Sequence, residues 1–127
     1  MNKYIRHKII HLDDYPTNVY ELIIDGVIVG SIEQRIPNLP QSGSGATYKQ
    51  INFLEVKDPF QGKGYGRELV EFFEAKARSQ GESWIEVNSS KSAETFYQHL
   101  GFVKTPSGIF RTLFRKIGIG SDFYKSI

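Results

Sequence analysis

The first half of the chain carries apolar positions with a period of two. Residues 4–12 are rich in β-branched and aromatic side chains, which places Ile5, His7, Ile9 and His11 on one face of an expected strand. Two further β-type runs, 19–24 and 27–36, flank Asp25-Gly26, a dipeptide favoured in two-residue hairpin turns. Residues 37–46, rich in Pro, Gly and Ser, read as a loop, and another strand is expected over 47–56. Asp58-Pro59 ends it, because proline supplies no amide donor and disfavours helical geometry before it. The period then changes to 3.6. Between residues 66 and 80, Leu69, Val70, Phe73 and Ala77 share one stripe while Glu68, Glu71, Glu74 and Arg78 lie elsewhere, and Gly81 closes the expected helix. A short strand over 83–87 precedes a short helix over 92–100, with Ser90 or Ser92 as N-cap and Gly101 at its end. A last strand pair, 102–105 and 109–117, is expected around Pro106-Ser107-Gly108.

Strands first, then strand, helix, strand, helix and a closing strand pair indicate an α/β fold with a mixed sheet and helices packed on it. With 127 residues the chain is expected to form a single domain over 1–127, and 39% hydrophobic content excludes disorder as the default. Cysteine is absent, which excludes a disulfide scaffold, a thiolate nucleophile and a Cys-ligated zinc site. His7 and His11 are four apart on a strand, a spacing that aligns ligands only on a helix, so no metal is expected. A net charge of +2 is too mild to argue for nucleic acid. The C-terminal end is locally basic, with Lys104, Arg111, Arg115, Lys116 and Lys125 against Asp122. The final residues, 118–127, contain Phe123 and Tyr124 and are open to two readings, a packed tail or a homodimer contact. No apolar run approaches the roughly 18 residues of a bilayer span. Residues 1–11 lack a signal-peptide core, so the expected location is the cytoplasm, with no membrane partner.

Three glycines fall within five residues. Gln61-Gly62-Lys63-Gly64-Tyr65-Gly66 lies between an expected strand and an expected helix, where glycines allow close backbone approach and unpaired helix N–H groups face one point. That location favours phosphate. A Walker A loop fails because Lys63 is followed by Gly64, and the dinucleotide fingerprint fails because only Tyr65 separates Gly64 from Gly66.

The spacing Gln-x-x-Gly-x-Gly resembles the pyrophosphate signature of the GNAT superfamily of acetyl-CoA-dependent N-acyltransferases. Leu54-Glu55-Val56 and Asp58-Pro59 resemble the strand and exit before this loop in the family; Ala93, Phe96-Tyr97 and Leu100-Gly101-Phe102 resemble the elements after it. Together these cover residues 50–103. The resemblance implies a central, mostly antiparallel twisted sheet flanked by helices. It also implies acetyl-CoA as cosubstrate without a metal, and an amine acceptor on a small molecule or a protein. The loop amides from Gln61 to Gly66 would hold the pyrophosphate, with Lys63 and Arg67 adding charge. Leu54, Glu55 and Val56 would pair with the pantetheine arm beyond a splay in the sheet.

Direct transfer needs a neutral amine and a proton for the departing thiolate. Tyr97 matches the family's general acid. Glu33 and Glu55 are both candidates for the base. Where family members often carry an asparagine seven residues before the tyrosine, this chain has Ser90, with Asn88 nearby. Only residues 13–18 separate the first two expected strands, where many members have two helices walling the acceptor site. That predicts a more open acceptor side, and keeps a second reading in play: a non-catalytic acyl-CoA-binding or partner-binding protein.

Overall fold

The computed structural model describes residues 1–12, 15–36 and 49–127. The expected loop at 37–46, and the start of the strand expected from 47, lie outside the described residues. Strand β1 (Lys3–Leu12) pairs antiparallel with β2 (Tyr15–Ile24), with Leu12 facing Tyr15 across the join. The two strands therefore follow one another directly. The turn from β2 to β3 (Val27–Arg35) has Asp25 at φ 49° and Gly26 at φ 82°, the pair of left-handed residues that matches the twist of a tight hairpin.

The run expected as one strand over 47–56 is two strands. β4 (Gln50–Ile51) and β5 (Phe53–Val56) are separated by Asn52, and they belong to different sheets. The first sheet is ordered β1-β2-β3-β5 and is antiparallel throughout. After a 3-10 turn over Asp58–Phe60, helix α1 (Tyr65–Ser79) lays Leu69, Val70, Phe73 and Ala77 into the core against Tyr20, Leu22 and Ile32. Gly81, at φ 84°, ends it by donating to the Arg78 carbonyl while Glu82 N–H reaches Ala77.

The second sheet collects β4, β6 (Trp84–Val87), β8 (Phe123–Ser126) and β7 (Val103–Lys104) in that order, with β4 parallel to β6. Helix α2 (Glu94–His99) follows a 3-10 turn at Lys91–Ala93. Neither serine caps it: Ser90 precedes the 3-10 turn without a side-chain cap bond, and its Oγ lies 3.3 Å from that of Ser92.

Residues 109–117, expected as a strand, form helix α3 (Ile109–Lys116) instead. The apolar positions Ile109, Phe110, Leu113, Phe114 and Ile117 recur at helical spacing, and that stripe outweighs the hairpin reading of Pro106-Ser107-Gly108. The place beside β7 goes to the tail, where Phe123 and Tyr124 pair with Lys104 and Val103. The tail is packed within the sheet. It is pinned by Glu86, a buried carboxylate on β6 whose Oε1 accepts the N–H groups of Gly120 (3.0 Å) and Ser121 (3.1 Å) while Oε2 accepts the Trp84 indole (2.8 Å). Replacing it leaves three donors unpaired. Glu86→Ala is expected to destabilise the fold by about 3 kcal/mol, measured as a lowered urea midpoint at unchanged m-value. A loss under about 0.5 kcal/mol would contradict this anchoring role. Among the described residues no helix is long and apolar enough to cross a membrane.

Candidate active site

The glycine loop begins where β5 ends. Gln61 folds back on that end, its Nε2 donating to the Val56 carbonyl (2.9 Å) and to Asp58 Oδ1 (3.2 Å), and its own N–H is taken by the Asp58 carbonyl. Gln61 therefore braces the loop. Gly62 (φ 78°) and Gly64 (φ 85°) have left-handed backbones, and a Cβ at either would meet nothing within 4 Å. Gly66 is small for a different reason: a Cβ there would sit 3.2 Å from the Phe96 ring. Gly64 caps α1 without a side-chain bond, and the first helical bond is Glu68 N–H to the Gly64 carbonyl. Among the described residues, none of the N–H groups from Gly62 to Arg67 donates to a protein acceptor. Six amides without a protein acceptor, the positive end of α1 and Arg67 thus border one cavity, with Lys63 in the same loop, a constellation that suits a polyanion. Arg67 also approaches Glu71 at 3.9 Å on the exposed helix face.

A cavity of about 430 Å³ opens beside the loop. Leu54 and Val56 of β5, Phe60, Tyr65, Ala93, Phe96 and Tyr97 line it together with the loop glycines and Arg67. A second, of about 280 Å³, fills the splay between β5 and β6 and shares Leu54, Ala93 and Tyr97 with the first. A third, of about 260 Å³, is lined by Thr17, Glu33 and Arg35 and shares Asn52 and Phe53 with the second. The second cavity thus borders the first at Tyr97 and the third at Phe53. β5 is the edge strand of its sheet, so its outer backbone groups face the splay.

Tyr97 is buried between the rings of Phe96 and Phe102, with centroids 5.1 and 5.3 Å away. Burial pushes its phenol up to about 12. Of the two carboxylates, Glu33 lines the third cavity, whereas Glu55 lines a separate one of about 470 Å³ with Lys57, Asp58 and Pro59. Burial raises the pKa of Glu33 above the usual carboxylate range, the Glu55 charge adds to the rise, and Lys8 opposes it. Asn88 lines the splay, but its Oδ1 accepts the Asp122 N–H at 2.8 Å and so anchors the tail; Ser90 lines the same cavity. Asn52 escapes a reading for chemistry. Its one signal is a polar residue interrupting the apolar pair Ile51 and Phe53. His7 stacks on Tyr20 and bonds Asn18 at 2.7 Å, and no group of three His, Cys, Asp or Glu suited to a metal occurs among the described residues.

A loop of unpaired amides before a helix, an edge strand that ends at that loop and a tyrosine lining the cavities beside both belong to a mixed α/β fold of the acetyltransferase class. The sequence profile of the acetyltransferase (GNAT) domain matches residues 3–116, and the chain belongs to this family. Solved structures share the fold. The PaiA N-acetyltransferase of Thermoplasma acidophilum, in complex with coenzyme A, is 19% identical with a TM-score of 0.61 over 87% of this chain and 61% of its own. N-acetylglutamate synthase of Neisseria gonorrhoeae, complexed with coenzyme A and N-acetyl-glutamate, is 25% identical with a TM-score of 0.59 over 85% of this chain and 25% of its own. Elp3 of the archaeon Methanocaldococcus infernus is 16% identical with a TM-score of 0.68 over 98% of this chain and 30% of its own. This chain thus spans about three fifths or less of each of these relatives. No curated protein matches it in sequence.

Proposed function

We propose that residues 1–127 act as one N-acetyltransferase domain that moves the acetyl group of acetyl-CoA directly onto a primary amine. Three cavities that adjoin through shared residues, the first holding the amide loop and Tyr97, the second Tyr97 and the third Glu33, support this reading. The loop amides, Lys63 and Arg67 bind the pyrophosphate; the outer edge of β5 pairs with the pantetheine arm, and a main-chain N–H there receives the carbonyl oxygen as it becomes an oxyanion. The amine enters from the Glu33 cavity. Its nitrogen forms the new C–N bond, the C–S bond breaks, Glu33 takes the proton the amine loses, and Tyr97 supplies one to sulfur. Glu55 acts on Glu33 through its charge. The test is acetyl-CoA titration followed by thiol release across amines, peptides and aminoacyl compounds. Absence of binding would overturn the reading. Binding without thiol release on any acceptor would favour a non-catalytic acyl-CoA-binding protein, a reading that the weak acidity of Tyr97 supports.

The base assignment has its own pH signature. Glu33 accepts a proton only when ionised, and burial with the Glu55 charge raises its pKa against the pull of Lys8. Activity is expected to fall on acidification at a pH above the ordinary carboxylate range, and Glu33→Gln should remove that acidic limb along with most of the rate. Stability has the opposite sign. A raised folded pKa means that the folded state binds the proton more tightly, so stability declines as pH rises through the window above the unfolded value. Glu33→Gln should therefore be no less stable than the parent at neutral pH in a thermal melt. An unchanged acidic limb in this variant would remove Glu33 from the mechanism.

A further inference from the structure

Asn52 is the point at which the chain changes sheets. On one side Ile51 pairs with Val87 in the second sheet, and on the other Phe53 pairs with Glu33 in the first. A strand that leaves its neighbour deprives a backbone group of its partner at the point of departure. Here that group is the Arg35 N–H, which donates to Asn52 Oδ1 at 2.7 Å, while the Asn52 N–H donates to the Glu33 carbonyl at 2.9 Å. The side chain stands in for the main-chain carbonyl that has turned away with β4. The same residue lines both the splay cavity and the Glu33 cavity.

We propose that Asn52 is the positioning residue that fixes the width of the splay, and with it the register between the thioester slot and the amine cavity. Its consequence for catalysis rests on the acetyl-CoA reading; its geometry does not. Without a side-chain acceptor, the Arg35 N–H is left to water or to a main-chain carbonyl drawn back towards β3, and the slot loses its fixed width.

The test compares the parent with Asn52→Ala and Asn52→Asp, because aspartate keeps an acceptor oxygen at the same place. In Asn52→Ala the dissociation constant for acetyl-CoA is expected to rise about fivefold, the scale of one hydrogen bond, and kcat to fall as well because the two reacting groups lose their register. Asn52→Asp should stay within about twofold of the parent if the acceptor oxygen is what matters. Hydrogen exchange at the Arg35 amide, slow in the parent and in Asn52→Asp and fast in Asn52→Ala, reads the geometry without any ligand. Slow exchange in Asn52→Ala, or equal loss of affinity in both variants, would overturn the proposal. If the parent itself fails to bind acetyl-CoA, the functional reading falls, while the exchange rates still decide whether Asn52 holds the splay.

Discussion

Gly64→Glu is expected to abolish acetyl-CoA binding, raising the dissociation constant by at least about 100-fold, while the protein stays folded. The two effects separate because of where Gly64 sits. Its Cβ position meets nothing within 4 Å, so the folding cost comes from the left-handed backbone at φ 85°. That strain is about 1–2 kcal/mol for a residue with a side chain, and a carboxylate at a helix N-terminus offsets part of it. The same carboxylate lies among the N–H groups of Gly62 to Arg67, the groups assigned to the pyrophosphate, and so opposes that ligand by occupation and by like charge. Gly64→Ala, which carries the strain without the charge, should bind more weakly than the parent but far better than Gly64→Glu. Calorimetric titration measures the affinities directly. Thermal melts provide a second measure, since ligand at 100 times its dissociation constant adds about 2.7 kcal/mol to the parent. Affinity of Gly64→Glu within threefold of the parent would mean that the loop does not hold the ligand.

The parts of this site visible in the sequence are those that local chemistry decides. The stripe Leu69, Val70, Phe73 and Ala77 is buried as its period requires, because a helix of that length presents one face whatever it packs against. Asp25-Gly26 makes its turn because few other dipeptides accept two left-handed residues. The glycine loop is legible for the same reason, since two of its three glycines occupy conformations that side chains avoid.

The illegible parts depend on distant partners. The chain from 47 to 56 is apolar enough to be one strand. Only the competition between Glu33 and Val87 for neighbouring residues divides it at Asn52. β8 is four residues long, and its place between β6 and β7 comes from pairings with Trp84–Val87 and Val103–Lys104. Glu86 looks like the solvated half of an alternating strand, yet the groups that justify its burial lie 34 and 35 residues away. In α3 the apolar stripe has helical spacing, but the Pro-Ser-Gly segment before it imitates a hairpin turn and masks that period; Ile109, Phe110, Leu113 and Ile117 remain exposed.

Tyr97→Phe is expected to lower kcat by about 100-fold, the lower end of what general acid catalysis supplies, and to leave the KM for acetyl-CoA within about twofold. The lower end follows from the environment of the phenol. Burial pushes it up to about 12, so its proton is never lost in a practical assay, and the basic limb of the pH–rate profile should not originate from it. The same shift makes donation harder. Against an ordinary thiol of pKa about 8.5, the proton would move uphill by more than three units, about 5 kcal/mol. The thiolate, however, forms in the same dry space, and desolvation raises its proton affinity as well. Proton transfer should therefore run late, with the hydroxyl first donating a hydrogen bond to sulfur as the C–S bond stretches. The deficit of Tyr97→Phe should then be the same factor from pH 6 to 10. A deficit that vanishes towards low pH, where buffer acids can serve sulfur, would place the donor in solvent, and a kcat within threefold of the parent would remove Tyr97 from the chemistry. Because Tyr97 is packed between Phe96 and Phe102 through its ring, phenylalanine keeps those contacts, and a melting temperature close to the parent's distinguishes a lost proton donor from a damaged core.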